Sequence, residues 1–321
     1  MRIILFGTPQ FAVPTLAALL DVHDVVAVIT RPDRPHGRGQ KVSANPVKAL
    51  ATARGVPVLQ PTRLDDPEWL AQIDAFGADL AVVAAYGRLL PQRLLDIPRL
   101  GFINVHASLL PRWRGAAPIH RAVLAGDAQT GVTIMRVVLA LDAGPTFASA
   151  AAPIAAADTS EVLETRLASM GAELLVATIA RMASGAISET PQNESGVTYA
   201  AKLERCESQI DWNRFAVEID RQVRGLQPWP LAAAILEGRR IAFLKSSVVD
   251  AAPLGATPGE ILEAGGNGLV IACGSGAIRI TEVLPEGRRA MPASAFLRGA
   301  PGKIGTMVAA LPVRPLQDDT P

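Results

Sequence analysis

Residues 1–30 read MRIILFGTPQFAVPTLAALLDVHDVVAVIT in one-letter code, and this stretch decides the fold class. Ile3 to Phe6 and Val25 to Thr30 are short runs of apolar and β-branched residues, with helix signals between them. Strand, helix and strand in that order build a parallel sheet, because parallel neighbours need a crossover connection. The grammar repeats. Val58 to Leu59, Leu80 to Ala85, Phe102 to Val105 and Val132 to Val138 read as further strands. Asn45-Pro46 closing at Gly55, and Asp66-Pro67 closing at Gly77, read as a cap, a first helical residue and a stop around two short helices. After a strand at Phe147 to Ile154, Asp158 with Glu161 three residues on starts a long helix that reaches about Met182.

From Ser184 to Gln209 the periodicity weakens, and polar residues gather with Pro191 and Gly196, as in a linker crossing a surface. A helical stretch from Phe215 to Gly225 opens a new unit. Short alternating runs follow at Ala232 to Leu236, Ile241 to Val248, Leu269 to Ala272 and Ala277 to Val283, punctuated by Gly238, Gly265-Gly266 and Gly274-Ser275-Gly276. Five or so strands of this length favour a small β-barrel of the oligonucleotide-binding (OB) type. The expected division is a first domain over 1–189, a linker over 190–208, a barrel over 209–311 and a disordered tail over 312–321.

The whole chain narrows the classes. At 321 residues, 49% of them hydrophobic and 19% charged, it is long enough for two packed cores. Cys206 and Cys273 make neither a disulfide framework nor a zinc cluster, which suits a reducing cytoplasm and a metal-free site. The first apolar run meets Gly7 too early for a signal peptide, and Val137 to Ala157 is broken by Asp142, Gly144, Pro145 and Pro153, so no membrane span is expected. A net charge of +1 leaves any polyanion to local basic patches. Gly7 lacks the other two glycines of a dinucleotide fingerprint, and residues 274–276 lack its strand-to-helix setting, so a nicotinamide dehydrogenase is excluded. His23, His36 and His120 have no partner at ligand or triad spacing.

Asn104-Val105-His106 is the strongest local signal. The two-residue period of a strand puts the amide and the imidazole on one face, at the carboxyl end where open α/β sheets bind ligands. Residues 108–119, SLLPRWRGAAPI, follow as an ordered loop before a helix, with exposed backbone groups able to receive a planar ligand; read alone, Arg112 and Arg114 are solvated charges. Asp142 lies just past the strand ending at Val138, so it too is expected at the carboxyl edge, where a carboxylate can orient an imidazole.

Together Asn104, His106, residues 108–119 and Asp142 resemble the folate-dependent formyltransferases. The resemblance extends to residues 6–9 (FGTP), 31–35 (RPDRP), 37–41 (GRGQK), 85–87 (AYG), 199–203 (YAAKL), 210–212 (IDW), 228–230 (PWP) and 296–299 (FLRG), from Met1 to about Gly302. It implies a Rossmann-like formyltransferase domain with a mostly parallel sheet, followed by a tRNA-binding OB-like barrel. It implies 10-formyltetrahydrofolate as donor, and as acceptor the free amino group of methionine on initiator Met-tRNA, approached along the acceptor stem. Such a protein is a cytoplasmic monomer with no membrane and no DNA partner. Around Asp142 the family usually reads Gly-Leu-Asp-Thr-Gly-Asp-Met, whereas residues 140–146 here are ALDAGPT, which removes a hydroxyl and, at Pro145, a backbone donor.

The resemblance carries roles with it. Amine attack on a formyl carbon puts negative charge on oxygen, which the Asn104 amide and a protonated His106 can stabilise, while Asp142 holds the imidazolium and helps move the proton. Ser108, Leu109, Leu110 and Pro111 match the folate-site motif. The loop from Arg31 to Lys41 carries Arg31, Arg34, Arg38 and Lys41 against Asp33 alone, and is too polar and broken to join the sheet. By resemblance it is the insertion that enters the tRNA, with Arg38 the chosen contact and Lys41 beside it; Lys202 and Arg205 match basic linker positions that hold phosphates. Two other readings remain: a formyltransferase acting on a nucleotide-linked amino sugar, which has no need of the basic loop, and a catalytically silent RNA-binding relative.

Overall fold

The computed structural model describes residues 1–33, 35–36, 41–249, 255–298 and 302–312. Arg38 of the basic loop and residues 313–321 of the expected tail lie outside the described residues, and of Lys41 only the backbone is described. Two compact units emerge. The first comprises Met1–Ile119, Gln129–Pro153 and Val162–Ala201; the second comprises His120–Ala128, Ile154–Glu161 and the chain from Lys202 onward.

The first unit holds strands β1 (Arg2–Gly7), β2 (Asp24–Ile29), β3 (Pro35–His36), β4 (Lys41–Val42), β5 (Val58–Leu59), β6 (Leu80–Ala84), β7 (Phe102–His106), β8 (Arg114–Gly115), β9 (Gln129–Arg136), β10 (Thr146–Pro153) and β11 (Tyr199–Ala200). Seven of them form one sheet in the order β10-β9-β7-β6-β1-β2-β5. The five from β7 to β5 are mutually parallel, while β9 runs antiparallel to both β7 and β10. Ile3 to Phe6 of β1 are fully buried, as expected of a central parallel strand covered on both faces. On one face Phe6 meets Tyr86 edge-on with centroids 5.4 Å apart and Phe102 at 5.3 Å, within a cluster that includes Trp69, Ile73 and Leu94.

Both short helices keep the caps read from the sequence. Asn45 Oδ1 accepts from Lys48 N at 3.0 Å ahead of helix Pro46–Ala53, and Asp66 Oδ1 accepts from Glu68 N and Trp69 N ahead of helix Pro67–Ala75. The short strands β3 and β4 pair only with each other, apart from the main sheet.

The route by which Asp142 reaches the site is set by the direction of β9. Because β9 is antiparallel to β7, Arg136 lies beside Ile103, and Val137 N bonds Phe102 O, at the amino end of β7. Asp142 therefore comes to the carboxyl end of β7 by way of a loop that starts at the opposite end of that strand. The loop 137–145 departs at that amino end and returns at Thr146 opposite Met135, and its tip reaches back to His106. A lone strand's sequence does not record which way it runs against its neighbour.

In the second unit β12 (Ala233–Leu236), β13 (Arg239–Val249), β14 (Ile261–Gly265), β15 (Gly268–Ala272), β16 (Ala277–Pro285), β17 (Met291–Pro292) and β18 (Val308–Ala309) form an antiparallel sheet in the order β14-β15-β16-β13-β12-β18, with β17 on β16. Register shifts around Lys245 bend the long β13 against β16. The sheet curls far enough that Val308, paired to Leu236, also donates to Gly259 O, while Ile261 N donates to Thr306 O. This is the OB-like barrel expected from the alternating runs. The sequence reading did not include β14, β17 or β18.

Candidate active site

His106 closes β7 and is 5% exposed. Its Nε2 donates to the Trp113 carbonyl at 3.0 Å, and its Nδ1 lies 3.7 Å from Asp142 Oδ2. A carbonyl therefore takes the Nε2 proton, while a carboxylate oxygen stands near the other ring nitrogen, just beyond direct hydrogen-bond reach. Asp142 Oδ2 also accepts from Gly115 N at 2.9 Å, which fixes the carboxylate. Asn104, two residues back on the same strand face, is half-buried, and its side-chain amide has no hydrogen-bond partner among the described residues. The three groups singled out from the sequence therefore share one region of the first unit.

Backbone conformation around the pair is unusual. Asp142 (φ 47°) and Trp113 (φ 66°) both sit in the left-handed region, which costs an L-residue roughly 1–2 kcal/mol. For a bulky Trp this persists only where the surroundings dictate it. They do: Trp113 N donates to Thr198 Oγ1 at 2.9 Å while its carbonyl receives His106. Glycine is required nearby at two positions. A Cβ on Gly115 would stand 2.7 Å from Ala200 O, and one on Gly144 would stand 2.0 Å from Arg136 O.

Within residues 108–111 much of the backbone is already engaged. Thr133 Oγ1 donates to Ser108 O at 2.7 Å and accepts from Leu110 N at 3.2 Å; Leu109 O accepts from Arg112 N, and Pro111 O from Thr198 N. Ser108 itself is buried, its hydroxyl donating to Arg112 O, while Leu109, Leu110 and Pro111 are half-buried and offer apolar surface. Arg114 is not a solvated charge: it is 4% exposed, and its guanidinium donates to Gln192 Oε1 and to Glu194 Oε1 at 3.0 Å. Arg112 stacks over the Trp113 ring at 4.4 Å.

Sequence reasoning missed Thr133, Gln192 and Thr198. Thr133 sits in a strand on which only hydrophobicity was read. Gln192 and Thr198 lie in the stretch read as linker, yet this stretch is stitched to the site by β11 pairing with β8 and by Arg114 N donating to Thr198 O. Lys202 and Arg205 are exposed in the second unit, where Lys202 O accepts from Arg121. Among the described residues no three His, Cys, Asp or Glu side chains gather as metal ligands would, and no helix is long and apolar enough to cross a membrane.

Comparison with known proteins places the chain in a family. The family model described as formyl transferase matches residues 1–179, and the model for the formyl transferase C-terminal domain matches residues 202–301. A methionyl-tRNA formyltransferase of Pseudomonas entomophila (strain L48) is 51% identical over 290 residues, covering 90% of this chain and 93% of its own. The protein of that name from Paracoccus denitrificans (strain Pd 1222) is 50% identical over 299 residues, covering 93% of this chain and 97% of its own. Among solved structures, an N-formyltransferase of Helicobacter canadensis in complex with folinic acid and dTDP-3-aminofucose superposes with a TM-score of 0.67 at 19% identity, covering 87% of this chain and 98% of that one. HypX from Aquifex aeolicus with tetrahydrofolic acid gives 0.60 at 17% identity, covering 92% and 46%. These structural likenesses concern the fold. With both halves matched and sequence identity near one half along nine-tenths of its length, the chain belongs to the formyl transferase family.

Proposed function

We propose that this protein transfers the formyl group of 10-formyltetrahydrofolate to the amino group of methionine on initiator tRNA, with Asn104, His106 and Asp142 as the catalytic set. The observation that carries the reading is the His106–Asp142 pair, 3.7 Å apart at the end of the strand that also bears Asn104, in a chain half identical to methionyl-tRNA formyltransferases. The donor fits what is present. A half-buried Asn104 amide with no hydrogen-bond partner among the described residues suits an incoming carbonyl oxygen, and half-buried Leu109, Leu110 and Pro111 suit a planar ring system. When bound, the carrier supplies the activated formyl carbon: a new bond to the methionine nitrogen replaces the bond to the carrier nitrogen, and the proton the amine loses is the one that nitrogen gains.

The side chains divide that work. Asn104 donates to the oxygen on which negative charge develops, and His106, protonated beside Asp142, adds positive charge there. Asp142, held by Gly115 N–H, keeps the imidazole in place and relays the proton between the two nitrogens. Acceptor binding falls to the basic loop, through Arg38 and Lys41, and to exposed Lys202 and Arg205 along the RNA backbone. An amino-sugar acceptor is less well supported, since the sugar-binding relative is 19% identical whereas the tRNA-named relatives are near 50%. Incubation with 10-formyltetrahydrofolate and methionine-charged initiator tRNA tests the reading: formyl-methionyl-tRNA is expected, and its absence rejects the assignment.

A further inference from the structure

The stretch between the two family-model matches, residues 180–201, holds the side chain that ties the Asp142 loop to the Arg114 loop. Gln192 Nε2 donates to Asp142 O and to Gly144 O, each at 2.8 Å. Its Oε1 accepts from Arg114 Nε at 3.0 Å and from a second guanidinium nitrogen at 2.9 Å. Two carbonyls on one side and a guanidinium on the other leave only one orientation of the amide, and in it every hydrogen-bonding position of the amide is used. Arg114 is buried, and its exposed partner Glu194 completes the clasp at 3.0 Å.

This grip lands where the loop has least support of its own. Asp142 holds a left-handed backbone, Ala143 has no hydroxyl, and Pro145 has no N–H. The carbonyls on either side of Ala143 are both held by one side chain, so the peptide planes that aim the Asp142 carboxylate at His106 are set from outside the loop.

We infer that Gln192 is a positioning residue for the formyl-transfer step, locking the loop that presents Asp142 to His106. The inference rests on Asp142 having the role proposed above. Gln192→Glu isolates it, because a carboxylate still accepts from Arg114 but cannot donate to Asp142 O and Gly144 O. Gln192→Met removes both sets of bonds without adding charge.

Each variant is assayed for formyl transfer to methionine-charged tRNA, alone and combined with Asp142→Asn, alongside its melting curve. In Gln192→Glu the expected result is a turnover loss of about 10- to 100-fold, the scale on which small misplacements act, with KM for tRNA within about twofold. On the Asp142→Asn background the same substitution is expected to add less than about threefold, because its effect is already spent. Gln192→Met, expected to keep a cooperative melt, should follow the same pattern if the glutamate variant does not fold. Near-normal turnover in a folded Gln192 variant, a change confined to KM, or full additivity with Asp142→Asn overturns the inference. Full activity of Asp142→Asn alone instead overturns the catalytic assignment on which it rests.

Discussion

His106 is a buried imidazole with the Trp113 carbonyl on Nε2 and the Asp142 carboxylate beside Nδ1, and the role assigned to it uses both neighbours. Removing the ring in His106→Ala deletes a donor at the developing oxyanion and the link to Asp142, and turnover is expected to fall by at least about 100-fold. Asp142→Asn keeps the shape and replaces the carboxylate by an amide that cannot relay a proton, so a loss of similar size is expected. Steady-state formylation kinetics check both, and near-normal turnover in either sinks its role. Asn104 and His106 stood out in the sequence because a strand's alternation puts them on one face, whereas Asp142 was singled out through the family resemblance, an acid in a loop being by itself an ordinary turn residue. Gln192 left no such mark: a glutamine in a polar stretch carries no period, and only the folded chain shows what its amide grips.

At the scale of elements, the basic loop shows what a charge count omits. Asp33, the one acid among the loop's cations, is ion-paired with Lys48 of the next helix, while Gln60 Nε2 donates to Asp33 Oδ1 at 3.0 Å and to Arg31 O at 2.8 Å. Asn45 Nδ2 adds a bond to Thr30 Oγ1 at 3.1 Å, so the start of the loop is moored to the sheet and the helix cap. The hydrogen bond from Lys48, helped by Gln60, holds the Asp33 carboxyl below its ordinary value. A depressed acid stabilises the fold above its unfolded pKa, about 3.9, and that contribution fades as pH falls through the lower folded value. Lys48→Met is therefore expected to melt earlier than the wild type at neutral pH, with the gap narrowing as pH falls below the ordinary carboxylate range. A gap that is constant with pH would show the pair to be irrelevant. Arg38→Ala tests the loop's partner: weaker use of tRNA with slow folate hydrolysis spared is expected, and equal loss of both argues against an RNA contact. The helices starting at Pro46 and Pro67 were legible because caps are short-range signals, while the direction of β9 was not, because pairing depends on residues far along the chain.

At the scale of the molecule, the boundaries drawn from composition and those drawn by contact differ in an instructive way. The second unit takes in His120–Ala128 and Ile154–Glu161, which in sequence precede the polar stretch by dozens of residues. Arg121 donates to Glu207 Oε1 at 3.0 Å, Ser160 Oγ donates to the buried Gly225 carbonyl at 2.9 Å, and Arg224 reaches Asp158 O at 3.0 Å. A fragment beginning at Lys202 keeps every barrel strand and loses all three partners. Of the groups left behind, the buried Gly225 carbonyl loses its side-chain partner outright, at about 1–3 kcal/mol, whereas Glu207 keeps its bond from Glu204 N and Arg224 its bond to Asp220. Even that one loss is a sizeable share of the 5–15 kcal/mol that holds a typical domain folded. The fragment 202–321 is therefore expected to melt at least about 10 °C below the intact chain, or to show no cooperative transition, when followed by circular dichroism. Ser160→Ala in the intact chain supplies the graded comparison, since it removes one of the three bonds while both segments stay in place. A small drop in that variant beside a large one in the fragment means that the two early segments act as part of the barrel's core. A fragment as stable as the whole would mean that the barrel needs none of them.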